Sequence, residues 1–486
     1  MSEEIRELEP VAVWNKFADL NAVPRPSKKE ERVINFMLAF GESLNLETLK
    51  DEVGNVIIRK PASKGFENKK MITLQSHLDM VHQKNNDTIF DFEEQGIEMF
   101  VEEDWVKAKG TTLGADNGLG VATIMALLES KDIEHPALEA LFTIDEETGM
   151  TGAMGLKEGI LKGEILLNLD TEEDDEIGIG CAGGVDITAK RTYSEKSLPR
   201  GIIPYKIVVN GLQGGHSGMD IHKGLGNANK IMNRILYTCN RNYSIRISEI
   251  NGGGLRNAIP RESSTVLIVD KAHASAFEKE IVNLAVILKQ EFKLTEPNLN
   301  VTFAVVRKPK KVMGLRPQEK LFNAVYAAHN GVYSMSNSMP GLVETSNNIA
   351  RVTVKKGEVV IACLTRSSVN SSKDDLANAL TATFEIAGMD VSLSGDYPGW
   401  NPNPDSAILK VLENKYETIF KEKPNVAACH AGLECGILGQ NYPKIDMISF
   451  GPTIKGAHSP DERVSISSVQ KYWKFVLEIL KDSPEK

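Results

Sequence analysis

The segment "MITLQSHLDMV" (71–81) is an apolar run that ends on a histidine and an aspartate two positions apart. Side chains alternate faces along a strand, so His77 and Asp79 project to one side while Leu78 and Met80 pack on the other. A carboxylate placed this way can orient an imidazole. Further strand ends and loops carry more such groups: Asp116 in "LGADNG", Glu146 and Glu147 in "TIDEETG", Asp170 in "LLNLDTEE" and, far downstream, His458 in "GPTIKGAHSPDERV". A single Asp or Glu in such a place is ordinarily a cap or turn residue. Two histidines with three carboxylates, however, suit a pair of divalent ions of borderline hardness, one carboxylate bridging and a position open for water. Paired ions of this kind sit ~3.5–4 Å apart and lower the pKa of the shared water toward ~7. Glu146 and Glu147 leave a strand facing different ways, so one can ligate while the other acts as general base.

These residues need a scaffold that brings strand ends to one rim. The segments "GNVIIRK", "MITLQSHL", "ALEALFTID" and "EILLNLD" read as short apolar strands, and "GLGVATIMALLES" reads as a helix entered through "TTLGADNG". Ser27 and Glu30 form the pattern of a capping box ahead of "RVINFMLAF". The alternation predicts an α/β domain with a mostly parallel sheet and flanking helices, whose ligand sites lie outside the carboxyl ends of the strands. After the proline-punctuated stretch near 192–204 the pattern changes to strands with helices through 224–238 and 272–292. A similar grouping recurs over "LVETSNNIARVTV", "GEVVIACLTRSS" and "DDLANALTATFEIAG", and "GDYPGWNPNPDS" marks a second hinge before helix and strand alternation returns. We therefore expect a discontinuous catalytic domain at 1–186 and 399–486, interrupted by an inserted α+β lid at 187–398.

Bulk properties narrow the function classes. The 486 residues can bury a large core, and 41% hydrophobic with 25% charged residues is ordinary for a globular chain. A formal net charge of −10 and the lack of a dense basic cluster argue against a nucleic-acid partner. The acidic start "MSEEIRELEP" lacks a secretory signal and no window has the apolar length of a membrane span, so a cytoplasmic location without membrane association is expected. Five widely spaced cysteines without a C-x-x-C pair signal neither a disulfide framework nor a thiolate zinc site. Any metal must therefore use imidazole and carboxylate.

The motifs "SHLDMV", "LGADNG", "DEETG", "NLD" and "GAHSPDE", in this order, closely resemble the co-catalytic zinc exopeptidases that include aminoacylases, carnosinases and glutamate carboxypeptidases. The resemblance spans nearly the whole chain, and "QKNNDT", "KGTTLGADNG" and "GCAGG" draw it toward the bacterial dipeptidases of that family. It implies a phosphorylase/hydrolase-like catalytic domain holding two divalent ions, Zn2+ with Mn2+ or Co2+ also admitted. By the same resemblance His77 and Asp170 ligate one ion, Glu147 and His458 the other, and Asp116 bridges. Asp79 would hold the second nitrogen of His77 and Glu146 would be the general base. Members of the family often carry a second aspartate after the bridging one, joined to it by a cis peptide; this chain has Asn117 there.

The inserted segment supplies a further set by resemblance. His216 in "GGHSGMDI" matches an oxyanion-stabilising histidine that can act from a partner subunit. Asn257 in "GGGLRNAIP" matches a group on the substrate carbonyl, and Arg366 in "CLTRSS" one on the free terminal carboxylate, for which a planar guanidinium is suited. Gly432 in "HAGLECG" offers a backbone contact, with His430 close by. His82, His135, His222, His273 and His329 lack a matching motif and read as structural, and the run "DTEEDDE" reads as a solvated loop beyond Asp170. The expected activity is metal-dependent hydrolysis of unblocked dipeptides by a homodimer, Xaa-His substrates such as carnosine included. Its rivals are a deacylase of N-acyl amino acids and a catalytically silent binding protein on the same fold.

Overall fold

The computed structural model describes residues 3–486. The chain forms two compact units: one runs to Gly180 and takes in Pro402–Ala428 and Leu433–Lys486, and the other comprises Cys181–Asn401 with Cys429–Gly432.

The first unit is built on an eight-stranded sheet in the order Glu47–Lys50, Val56–Lys60, Leu138–Thr143, Ile72–His77, Ile165–Asn168, Asp446–Ser449, Glu176–Cys181 and Asn425–Cys429. The four strands from Leu138–Thr143 to Asp446–Ser449 pair in parallel, while Glu47–Lys50 with Val56–Lys60, Val56–Lys60 with Leu138–Thr143, and Asp446–Ser449 with Glu176–Cys181 are antiparallel. Strands Leu138–Thr143, Ile72–His77 and Ile165–Asn168 are buried along their whole length, so the polar residues they carry, Gln75, Thr143 and Asn168 among them, lie inside as well. Helix Ala115–Glu129 is buried on nearly all sides and packs on strand Ile72–His77 and helix Val11–Asn21. Gly120 permits that approach, since a methyl there would collide with Ser76 Oγ and Asn117 Oδ1.

Ser27 departs from the expected capping box. Helix Glu31–Ser43 starts after Glu30 without a side-chain cap, and Glu30 accepts from the amide of Lys28 instead. The Ser27 hydroxyl donates to Asp79 Oδ2 at 2.8 Å, so a tertiary partner outcompetes the local cap.

The second unit carries a nine-stranded antiparallel sheet in the order Asn300–Val305, Ile202–Asn210, Ser263–Asp270, Arg246–Gly253, Val343–Lys355, Glu358–Ser367, Gly183–Thr192 and Asp390–Tyr397, with Gly331–Met335 branching from Val343–Lys355. The two sequence groupings thus run through one continuous sheet. Helices Ala228–Tyr243, Ala274–Glu291, Leu315–Ala327 and Asn370–Ile386 supply apolar side chains to the core formed with the sheet. Among the described residues no helix is long and apolar enough to cross a membrane.

Candidate active site

Strand Ile72–His77 ends at His77, which is buried with its two ring nitrogens facing different partners. Nδ1 lies 3.4 Å from Asp79 Oδ1 and 3.1 Å from the Asp79 carbonyl; Nε2 lies 3.2 Å from Asp116 Oδ1 and 3.5 Å from Asp170 Oδ1. Asp116 turns its other oxygen to His458 Nε2 at 3.1 Å, and His458 Nε2 is 3.0 Å from Glu147 Oε2. Two donor sets, His77–Asp116–Asp170 and Asp116–Glu147–His458, have donor atoms within 4.8 Å of one another, and His77, Glu146 and Glu147 meet the same criterion beside them. Asp116 is common to the first two.

The loops that present these groups are tied by long-range bonds. Asp79 accepts from the amides of Glu146 at 3.0 Å and Glu147 at 3.3 Å, which seats the short helix Glu146–Gly149 beside His77. Glu462, buried, accepts from four successive amides of the loop and helix start that carry Asp116: Leu113 (2.7 Å), Gly114 (2.9 Å), Ala115 (2.8 Å) and Asp116 (3.2 Å). The buried Arg25 guanidinium donates to the carbonyls of Leu78, Asp79 and Gly114, joining the His77 and Asp116 segments. The Asp116–Asn117 peptide is cis, and the Asn117 amide donates to Asp170 Oδ1, a bond a second ionised aspartate could not offer.

The electrostatics are those of a cation site. Burial alone would lower the His77 imidazole, yet Asp170, Asp116 and Asp79 outweigh it and hold its pKa well above the ordinary histidine range. Hydrogen bonds to Asp116 and Glu147 raise His458 to about 11. Withdrawal from water raises Asp170 to about 6 and pushes Glu146 well above the ordinary carboxylate range, with Asp170, Glu434 and Glu147 adding to the latter and His77 opposing. Glu147 Oε1 is buried without a hydrogen-bond partner. Nitrogen and oxygen donors, an orphaned carboxylate oxygen and crowded acids fit two divalent cations of borderline hardness.

In the second unit His216 lies on the short strand Gly215–His216, paired with Ala258–Ile259. Its Nδ1 accepts from the amides of Gly218 at 3.2 Å and Met219 at 3.0 Å, so the neutral ring carries its proton on Nε2 as a free donor. Arg366 is buried, with Nη1 donating to the Tyr397 hydroxyl at 2.9 Å and Nε lacking a partner. His430 Nε2 lies 2.8 Å from Ser346 Oγ. Burial, then Arg366 and His216, lower His430 to about 3, and a methyl on Gly218 would collide with the His430 carbonyl. His216, Arg366 and His430 are therefore neighbours. Asn257 touches the same loop through its carbonyl, which accepts from Ser217 at 2.8 Å, and Gly432 closes the segment Cys429–Gly432.

The seven residues of the first unit thus converge, and so do His216, Arg366 and His430 of the second. Sequence reading did not single out Arg25, Glu462 or Tyr397, and gave Ser27 only a capping role, although Glu462 stands only four residues after His458. The run after Asp170 needs correction. Residues 171–174 are half-buried; burial pushes Glu172 up to about 8, with Asp116 adding to the rise, and Asp174 pairs with Lys471 at 2.6 Å.

Fold and site together give an α/β scaffold with a candidate two-cation centre beside the carboxyl ends of parallel strands. The chain belongs to the Peptidase family M20/M25/M40, whose model matches residues 73–482. It is 41% identical over 483 residues to the cytosol non-specific dipeptidase of Escherichia coli (strain K12), covering 99% of this chain and 100% of that one. It also matches the crystal structure of aminoacylhistidine dipeptidase from Vibrio alginolyticus with a TM-score of 0.94 and 42% identity over the whole of both chains. An aminopeptidase from Bacillus cereus ATCC 10987, 15% identical, shares the fold with a TM-score of 0.56 over 98% of each chain.

Proposed function

We propose that this protein is a metal-dependent dipeptidase that hydrolyses the amide bond of unblocked dipeptides, with Xaa-His peptides such as carnosine among its substrates. The observation that carries this reading is the pair of donor sets sharing Asp116, with Glu146 beside them. The 41–42% identity to two proteins named as dipeptidases supports the substrate class.

His77 and Asp170 would hold one divalent ion, Glu147 and His458 the other, and Asp116 both; zinc suits the set, and manganese or cobalt could substitute. When bound, such ions supply Lewis acidity toward a carbonyl and toward an attacking water. Asp79 accepts from His77 Nδ1 and so keeps Nε2 available as a ligand. Glu146 takes the proton from the attacking water and passes it to the leaving amine. His216 donates from Nε2 to the oxyanion that develops on the substrate. Asn257 holds the substrate carbonyl, Gly432 offers its backbone, and Arg366 takes the terminal carboxylate, which restricts the enzyme to short peptides. We assign catalysis to 1–186 with 399–486 and the role of lid and dimer-forming domain to 187–398, in a cytoplasmic homodimer.

The test is hydrolysis of a panel comprising carnosine, other dipeptides, a tripeptide and an N-acetyl amino acid, with zinc or manganese and with chelator. Chelator-sensitive cleavage of unblocked dipeptides is expected. Cleavage of the acylated compound alone would make the protein a deacylase, and metal binding without any cleavage would make it a silent relative.

A further inference from the structure

Beneath the candidate centre lies a polar layer that the proposed reaction does not use. Gln75 and Asn168 stand two residues before His77 and Asp170 on adjacent parallel strands, and Gln75, Asn168 and Ser449 occupy one register row. Thr143 is in register with His77 and three residues before Glu146. Side-chain hydrogen bonds run through the layer in one direction. Ser449 Oγ donates to Asn168 Oδ1 at 2.5 Å, so its contact with Thr171 Oγ1 at 2.8 Å has Thr171 as donor. Asn168 Nδ2 donates to Gln75 Oε1 at 2.5 Å; Gln75 Nε2 donates to Thr143 Oγ1 at 3.1 Å and to Glu434 Oε2 at 2.7 Å; and Thr143 Oγ1 donates to Glu434 Oε2 at 2.6 Å. The chain ends there. Gln75, Thr143, Asn168, Ser449 and Glu434 are all buried, and Glu434 Oε1 has no hydrogen-bond partner.

A buried polar row across three strands costs stability unless every member is satisfied, and an apolar row could fill the same space. Its use is geometric: a directed chain of hydrogen bonds fixes each side chain against the next. We propose that Glu434 is a positioning residue for the metal centre: as terminal acceptor of this chain it locks Gln75, Thr143 and Asn168, and thereby sets where His77 and Asp170 present their donor atoms. Burial pushes the Glu434 carboxyl up to about 8, and glutamine offers the same acceptor position without a charge. For its effect on turnover the inference rests on the dipeptidase reading; for its effect on metal affinity it does not.

The experiment compares Glu434→Gln, which keeps an acceptor oxygen, with Glu434→Ala, which leaves the Gln75 amide and Thr143 hydroxyl unanswered. Zinc affinity is read by competition with a chromophoric chelator, alongside kcat, KM and melting temperature. Glu434→Ala is expected to weaken zinc binding about 10-fold or more and to lower kcat comparably at saturating zinc, with KM little changed, while Glu434→Gln restores both. A lowered melting temperature in Glu434→Ala, with wild-type zinc affinity and kcat below the transition, would overturn the proposal. So would a Glu434→Gln protein as impaired as Glu434→Ala. If the wild type binds zinc but cleaves no dipeptide, the functional reading fails and the zinc titrations still decide the role of Glu434.

Discussion

In the first unit Asp116, Glu147 and Asp170 crowd around the Nε2 atoms of two histidines, whereas in the second Arg366, His216 and His430 lie together and the partner of Arg366 is a tyrosine hydroxyl. The acidic cluster is supported from behind on almost every side: Glu462 holds four amides, Asp79 two, and Arg25 three carbonyls. The basic cluster leaves Arg366 Nε and His430 Nδ1 without partners. Unpaired buried charge is tolerated where a ligand completes it. On the proposed reading, one cluster would hold cations that stay through many turnovers, and the other an anion that arrives with the substrate and leaves with the product.

The strongest way to break this comparison is to act on the acidic cluster alone. Prolonged chelation should abolish hydrolysis, and added zinc should restore it, as followed by amino-acid release. Next in size, Glu146→Ala should lower kcat by about 10²–10⁴-fold, the span of general acid–base catalysis, while metal content by elemental analysis stays at the wild-type level. Loss of both metal and activity would make Glu146 a ligand rather than the base and would merge two roles that we separate.

How much of this was visible in the chain itself depends on the range of the interaction. His77 with Asp79, and the motifs around Asp116, Glu147, Asp170 and His458, are legible because strand periodicity and short motifs are local. The capping-box reading of Ser27 and Glu30 failed for the converse reason: the hydroxyl found Asp79, 52 residues away. Glu462 bonds amides 346–349 residues distant, and Glu434 meets Gln75 across 359 residues; no periodicity encodes such a pairing. The acidic run after Asp170 looked solvated because its composition is polar, yet Asp174 and Glu173 find Lys471 and Lys455 once the closing segment folds back.

The basic cluster can be tested through its anion. Arg366→Ala should reduce kcat/KM on free dipeptides by about 10–100-fold, matching the ~1.5–3 kcal/mol of a hydrogen bond to a charged group. On a C-terminally amidated dipeptide, which has no carboxylate to hold, wild type and variant should differ little. An equal loss on both substrates would show that Arg366 supports the fold of the sheet and not the recognition of a carboxylate.

The smallest effect separates the clusters by pH. His430 is neutral in the fold because burial, reinforced by Arg366, His216 and His222, lowers its pKa to about 3, against 6.5 for the free group. Below pH 6.5 the unfolded chain takes up a proton that the folded chain refuses. The sign follows: the stability linked to this group is full above pH 6.5 and is lost as the pH falls toward 3, by at most about 1.4 kcal/mol per pH unit. Replacing His430 by Gln, which can still bond Ser346, should therefore flatten the acid limb of stability between pH 6.5 and 5 by ~1–2 kcal/mol, read from urea midpoints at each pH. The difference should vanish near pH 8, where neither state of the wild type carries the proton. An unchanged acid limb would mean that an anion or water neutralises the cluster in solution, and would move the basic group from a site awaiting its ligand to one already filled.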